Sequence, residues 1–177
     1  MNIIKTKLEG LLIIEPSVFL DERGYFFETY NENSFKRNGI DVRFVQDNQS
    51  KSKKDVLRGL HYQTGDYAQD KLVAVVNGAV LDVAVDIRKD SPTYGQYESV
   101  LLSDANKRML FIPKGFAHGF VSLMDDTIFT YKCSNVYNKE SEGGILWNDE
   151  TLAIQWRCDY PLVSDKDINL PVFGNHK

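Results

Sequence analysis

Lys71-Leu72-Val73-Ala74-Val75-Val76-Asn77-Gly78-Ala79-Val80-Leu81-Asp82-Val83-Ala84-Val85-Asp86 decides the fold class, because two valine-rich runs are broken only by a turn pair. β-Branched residues at this density favour strands. Asn77-Gly78 suits the positive φ angles of a type I′ turn, so the spacing predicts a β-hairpin. Its register pairs Val76 with Ala79, Val75 with Val80, Val73 with Asp82 and Lys71 with Ala84. Opposed residues share a face and strand side chains alternate. Lys71, Val73, Val75, Val80, Asp82 and Ala84 are therefore expected on one face, with Lys71 and Asp82 close together.

Outward from this stretch, short apolar runs recur between turn residues at 42–45, 56–63, 97–102, 109–112, 117–123 and 127–133. No helical stretch of ten or more residues intervenes, which predicts an all-β barrel or jelly roll rather than βαβ units. Before these runs, residues 7–19 read as a strand ending in the turn Asp21-Glu22-Arg23-Gly24, and the aromatic residues 25–30 as a second strand. A short helix is expected over 31–38, capped by Asn33 or Ser34 and stopped by Gly39. The tail, 159–177, is expected to wrap as irregular structure.

At 177 residues and 42% hydrophobic content, the chain suits one domain, 1–177. A formal charge of −4 and only one basic run, Lys51-Ser52-Lys53-Lys54, argue against a nucleic-acid partner. Lys5 and Lys7 precede an apolar run limited to 11–14, too short for a signal peptide, and nothing approaches a membrane span. Cys133 and Cys158 make no disulfide framework, so a cytoplasmic location is expected.

The run Val56-Leu57-Arg58-Gly59-Leu60-His61-Tyr62-Gln63 sets one of three histidines among apolar residues. The amides of Gln46-Asp47-Asn48-Gln49-Ser50 and the amine of Lys71 suit an oxygen-rich ligand. There is no glycine-rich phosphate loop, no GxSxG elbow and no cysteine beside a histidine. Pro113-Lys114-Gly115-Phe116-Ala117-His118 resembles the second metal motif of the cupin barrels, whose first motif offers His-x-His. Here that place reads His61-Tyr62-Gln63, and His176 lies in the tail, so neither metal nor cofactor is expected. Proton transfer remains, with His61 as base, a tyrosine as acid and Lys71 stabilising an oxyanion. Asp167 or Asp82 would supply the carboxylate behind the histidine.

Through residues 10–171 the chain resembles the dTDP-4-dehydrorhamnose 3,5-epimerases, a branch of the cupin barrels. The resemblance is carried by Asp21-Glu22-Arg23-Gly24, Gln46-Asp47-Asn48 with Ser50, residues 56–63, Lys71-Leu72-Val73 and Asp82-Val83-Ala84-Val85-Asp86. It continues through Gly115-Phe116-Ala117-His118-Gly119-Phe120, Tyr131-Lys132-Cys133, Trp147-Asn148-Asp149 and Ser164-Asp165-Lys166-Asp167. It implies a cupin-type double-stranded β-helix, a jelly-roll barrel with little helix. The implied activity is epimerisation at C3 and C5 of a dTDP-4-dehydro-6-deoxy sugar, with a mono-epimerase or keto-isomerase as the alternative. A non-catalytic sugar-binding barrel is the remaining class.

By that resemblance His61 is the base, oriented by Asp167; Tyr131 is the proton donor and Lys71 stabilises the enolate. Arg23 and Arg58 become diphosphate contacts, while Glu28, Gln46, Asp47, Asn48, His118, Glu142 and Lys166 fall where the family holds its nucleotide sugar. A homodimer is implied, exchanging N-terminal strands so that Arg23 nears the partner's pocket. Gln49 departs from the histidine of many members. In an ideal strand Arg58 and His61 point to opposite faces, so both meet one ligand only if Gly59 marks a bulge or the ligand passes the barrel rim.

Overall fold

A computed structural model describes the whole chain, Met1–Lys177, as two antiparallel sheets packed face to face. The first runs β1 (Asn2–Lys5), β2 (Leu12–Glu15), β10 (Met109–Ile112), β7 (Lys71–Asn77), β12 (Thr127–Cys133), β5 (Gln46–Ser52). The second runs β13 (Glu142–Gly144), β6 (Leu57–Gln63), β11 (Phe116–Ser122), β8 (Ala79–Asp86), β9 (Tyr97–Ser103). A separate hairpin, β3 (Phe19–Asp21) with β4 (Gly24–Phe26), stands outside both. Helix is confined to α1 (Glu32–Arg37), α2 (Asp165–Ile168) and one 3₁₀ turn. This is the expected jelly roll, and no helix is long and apolar enough to cross a membrane.

The predicted 77–78 hairpin does not form. β7 is paired on both edges, by β10 and β12, and β8 likewise by β9 and β11, so neither has a free edge for the other. All eight residues of β8 are buried, the mark of a central strand. Of the turn pair only Gly78 has positive φ, at 86°, and it carries the chain from one sheet to the other. Facing parity nevertheless held: Val73, Val75, Val80 and Ala84 share the core between the sheets with Leu110, Phe116, Phe120 and Phe129. The two strands present one face to a common interior, as opposing layers instead of hairpin arms.

Three further expectations are corrected. Residues 42–45 form no strand; Val42 and Phe44 pack with Ile14, Phe35 and Leu72 on the outer face of the first sheet. The strand role passes to polar β5, whose Gln46, Asn48, Ser50 and Ser52 are more buried than Asp47, Gln49 and Lys51. In the N-terminal arm the strands are shorter than expected, β2 ending before Pro16 and β4 stopping at Phe26. The cap of α1 is Asn31, whose side chain accepts from the Ser34 N–H at 3.1 Å; Asn33 and Ser34 lie in the first turn. The tail wraps as expected but includes α2, and His176 is held there, stacked on Phe173 and edge-on to Tyr62.

The expected irregularity at Gly59 is present. Along β11 the partners step from His118↔His61 to Phe120↔Arg58, so β6 spends one extra residue there. Gly59 has φ 130°, and a Cβ on it would stand 2.5 Å from Gly119 Cα and 2.9 Å from the His118 carbonyl oxygen. Gly59→Ala is therefore expected to cost about 3 kcal/mol or more. Urea denaturation checks this, a wild-type midpoint being the contrary result.

Past β8, buried Asp86 accepts from Arg88, Ser91 and Thr93 side chains. Burial alone would raise its pKa, but these donors and the Arg88 N–H hold it down to about 2, from 3.8. A depressed carboxylate contributes stability above its unfolded pKa and loses it as pH falls through the folded one. Asp86→Asn should thus lower stability at pH 7 by about 2 kcal/mol. The gap from wild type should close as acid approaches pH 2, read by urea melts across the range.

Candidate active site

The interior between the sheets is apolar at one end and polar at the other. At the polar end a cavity of about 330 Å³ is lined by Ser50, Arg58, His61, Lys71, His118, Phe129, Tyr131, Lys166 and Asp167, among others. Each side chain arrives by strand parity. Lys71, Val73 and Val75 share one side of β7, and Tyr131 lies directly between Val73 and Asn48 in the ladder β7–β12–β5. From the other sheet His61 and His118 are opposed, and the β6 bulge turns Arg58 to the same cavity as His61.

Two histidines are each backed by a carboxylate. His61 Nε2 lies 2.7 Å from Asp167 Oδ1, with the histidine side chain 32% exposed and the aspartate 5%. Asp167 also accepts the Gly59 N–H at 3.2 Å, and its own N–H is capped by the Ser164 hydroxyl. Burial tends to raise the Asp167 pKa; the His61 ring, the Gly59 N–H and the charge of Lys166 outweigh it and hold the carboxyl below its usual range. His118 Nε2 stands 2.9 and 3.0 Å from the two oxygens of Asp82, which is wholly buried. Of the two carboxylates that composition offered to His61, Asp167 takes that place and Asp82 serves His118.

An ionised aspartate only accepts, so the Nε2 facing it carries a proton and the other ring nitrogen, Nδ1, is left to take one. Lys71 and Arg58 belong to none of the ion pairs of the protein. Burial pushes the Lys71 ammonium below the usual lysine range, offset in part by Cys133, Asp82 and Glu142. Burial pushes the Tyr131 phenol up, and Cys133 adds to this while Arg58 opposes it. Arg58 donates to Ser52 Oγ at 3.2 Å and to the Lys51 carbonyl at 3.4 Å, and it lines the cavity. The charges left uncompensated here are cations, which suits developing or resident negative charge on oxygen.

The remaining candidates fall into two groups. Glu142 joins the rim through Lys166, at 2.6 Å, and Tyr137, at 3.2 Å. Burial alone would raise the Glu142 pKa, but Lys166, Tyr137 and His61 bring it down. Arg23, Glu28, Gln46, Asp47 and Asn48 do not line this cavity. Arg23 is 90% exposed in the β3–β4 turn, paired with Asp21. Glu28 accepts from the Asn31 side chain, and Gln46 accepts the Tyr137 N–H. Asp47 points outward to Lys132 at 2.9 Å and, with Asn48, lines a second hollow of about 570 Å³ that also reaches Tyr131 and the aromatic residues Tyr25 and Phe27.

No grouping of three or more His, Cys, Asp or Glu side chains is arranged to hold a metal ion. Ser50 and Ser164 carried no assigned role in the sequence. Ser50 sits in the amide-rich motif, where strand alternation puts it on the inner face with Gln46 and Asn48; Ser164 is legible only as the helix cap three residues before Asp167.

The family model for dTDP-4-dehydrorhamnose 3,5-epimerase matches residues 5–175. The dTDP-4-dehydrorhamnose 3,5-epimerase of Shigella flexneri is 58% identical over 170 residues, covering 96% of this chain and 94% of that protein. The crystal structure of the enzyme of that name from Elizabethkingia anophelis NUHP1 superposes with a TM-score of 0.94 at 51% identity, covering 98% and 96% of the two chains. A dTDP-6-deoxy-D-glucose-3,5-epimerase from Legionella pneumophila Philadelphia 1, solved in complex with dTDP-4-keto-L-rhamnose, gives 0.93 at 50% identity and covers 97% and 92%. With a cupin-type barrel, a histidine backed by aspartate and matches spanning nearly its full length, the chain belongs to the dTDP-4-dehydrorhamnose 3,5-epimerase family.

Proposed function

We propose that this protein is an isomerase that inverts C3 and C5 of dTDP-4-dehydro-6-deoxy-D-glucose, giving dTDP-4-dehydro-L-rhamnose. The observation that carries the mechanism is the Asp167-backed His61 sharing one cavity with Tyr131 and the unpaired ammonium of Lys71. The hydrogens on C3 and C5 are acidified by the C4 ketone between them. His61 Nδ1 takes one of these protons, the C–H electron pair moves into the ketone, and the resulting enolate oxygen is stabilised by Lys71. Tyr131 gives its phenol proton to the opposite face of the carbon, the enolate returns to the ketone, and the configuration is inverted. Once His61 has released its proton to solvent and the Tyr131 phenolate has regained one, the same cycle on the other carbon completes the reaction. Arg58, His118, Glu142 and Lys166 hold the nucleotide sugar around this centre.

The expected outcomes separate the roles. His61→Asn should lower solvent-deuterium exchange into the substrate by about a thousandfold or more at both carbons. Tyr131→Phe should keep exchange yet lose most of the inverted product, because abstraction does not need the donor. Lys71→Ala should slow both carbons alike by about a hundredfold, as loss of one oxyanion-stabilising group does. Proton NMR of the sugar reads all three. His61→Asn with wild-type exchange, or activity removed by EDTA, would overturn the assignment.

The exposed hairpin supports a homodimer. Phe19, Leu20, Tyr25 and Phe26 are 65%, 80%, 56% and 67% exposed on two short strands that pair only with each other. A second copy covering this arm would remove contiguous apolar area from water and carry Arg23, with Glu28 behind it, toward the partner's pocket. The two free cysteines suit a reducing cytoplasm. Sedimentation at micromolar concentration should give a dimer, and Leu20→Glu should shift it toward monomer while raising KM for the nucleotide sugar. A wild-type monomer contradicts this.

A further inference from the structure

Ser50 Oγ is buried and makes no hydrogen bond to any protein group; it is the one buried side-chain polar atom of the protein in that condition. The condition is specific to this position on β5. On the same inner face Gln46 donates to Asn48, Asn48 donates to Cys133 Sγ at 3.7 Å, and Ser52 accepts from Arg58. Across the ladder Ser50 faces Phe129, an apolar ring with nothing to offer it. A strand serine often bonds a neighbouring backbone group, and this one does not. Yet Ser50 lines the cavity that holds His61, Lys71 and Tyr131, between the Ser52–Arg58 contact on one side and Asn48–Tyr131 on the other.

A buried hydroxyl without a partner destabilises the protein that carries it, and an alanine there would not. A buried hydroxyl that no protein group satisfies, set in the wall of a cavity, is available to a partner from outside the chain. Building on the functional reading above, we propose that Ser50 is a substrate-binding residue whose hydroxyl pairs with an oxygen of the bound nucleotide sugar beside Arg58. One step between staggered χ1 positions, about 120°, re-aims the hydroxyl without moving the strand. The oxygen belongs either to a hydroxyl of the hexose ring or to the diphosphate, and the shared chemistry is a hydrogen bond to a polar oxygen.

Ser50→Ala in the full-length protein tests this with three readings: melting temperature without ligand, calorimetric affinity for dTDP and for dTDP-glucose, and steady-state kinetics. The melting temperature should hold or rise. Affinity for dTDP-glucose should fall about tenfold, the worth of one neutral hydrogen bond. KM should rise by a similar factor with kcat nearly kept. Unchanged dTDP affinity assigns the contact to the sugar; an equal loss for dTDP assigns it to the phosphate. Wild-type affinity and KM in the variant, or a melting temperature lowered by several degrees, overturns the proposal. If wild type turns over and Ser50→Ala is indistinguishable from it, the contact alone fails. If wild type neither binds nor converts dTDP sugars, the functional reading fails and the contact with it.

Discussion

The bridge made by Asp167 is the interaction on which the polar end of the barrel depends. One carboxylate accepts the Gly59 N–H at 3.2 Å and faces His61 Nε2 at 2.7 Å. The first contact ties the C-terminal helix to the bulge in β6, and the second fixes the imidazole two residues farther along the same strand. Because the bulge adds one residue between Arg58 and His61, the same carboxylate stands behind both the site's geometry and the histidine's protonation. A glycine is required at its centre, where Gly119 of the neighbouring strand comes too close for a side chain.

Around this bridge the barrel trades packing for chemistry. The apolar end holds Val80, Leu102 and Leu110 in one cluster, all within a few per cent of full burial. At the polar end the carboxylates are committed, Asp167 to His61, Asp82 to His118 and Glu142 to Lys166, whereas Lys71 and Arg58 have no acidic partner. In the proposed reaction a partly buried ammonium would meet charge as it appears on oxygen, because the surroundings that disfavour it in the resting state strengthen its attraction to an oxyanion. Such groups cost stability, and the apolar cluster between the sheets offsets that cost.

Strand content was legible because β-branched runs alternate with turn residues, and the inward parity of Lys71 and Asp82 followed from period two alone. Pairing partners did not follow. Asn77-Gly78 has the chemistry of a hairpin, but edge availability is a property of the assembled sheets, and β7 and β8 had none to spare. β5 escaped an apolar-run reading because its inner face is polar, which is itself the trace of a cavity. His61 and Lys71 stood out from the residues themselves, with Asp167 as one of two carboxylates open to the histidine; Tyr131 and Lys166 were named through family resemblance, since their separation in sequence from His61 hides their proximity. Arg23 and Glu28 stay apart from the cavity within one chain, a separation that the sequence does not reveal.

A single cavity working both carbons that flank a ketone is the claim most open to direct test. The most direct measurement is conversion of dTDP-4-dehydro-6-deoxy-D-glucose in deuterium oxide by the wild-type protein, with the position of label read by NMR. Deuterium at both C3 and C5, with the L-rhamno configuration in the product, is the predicted result; label at one carbon only, or binding with no label, would contradict it.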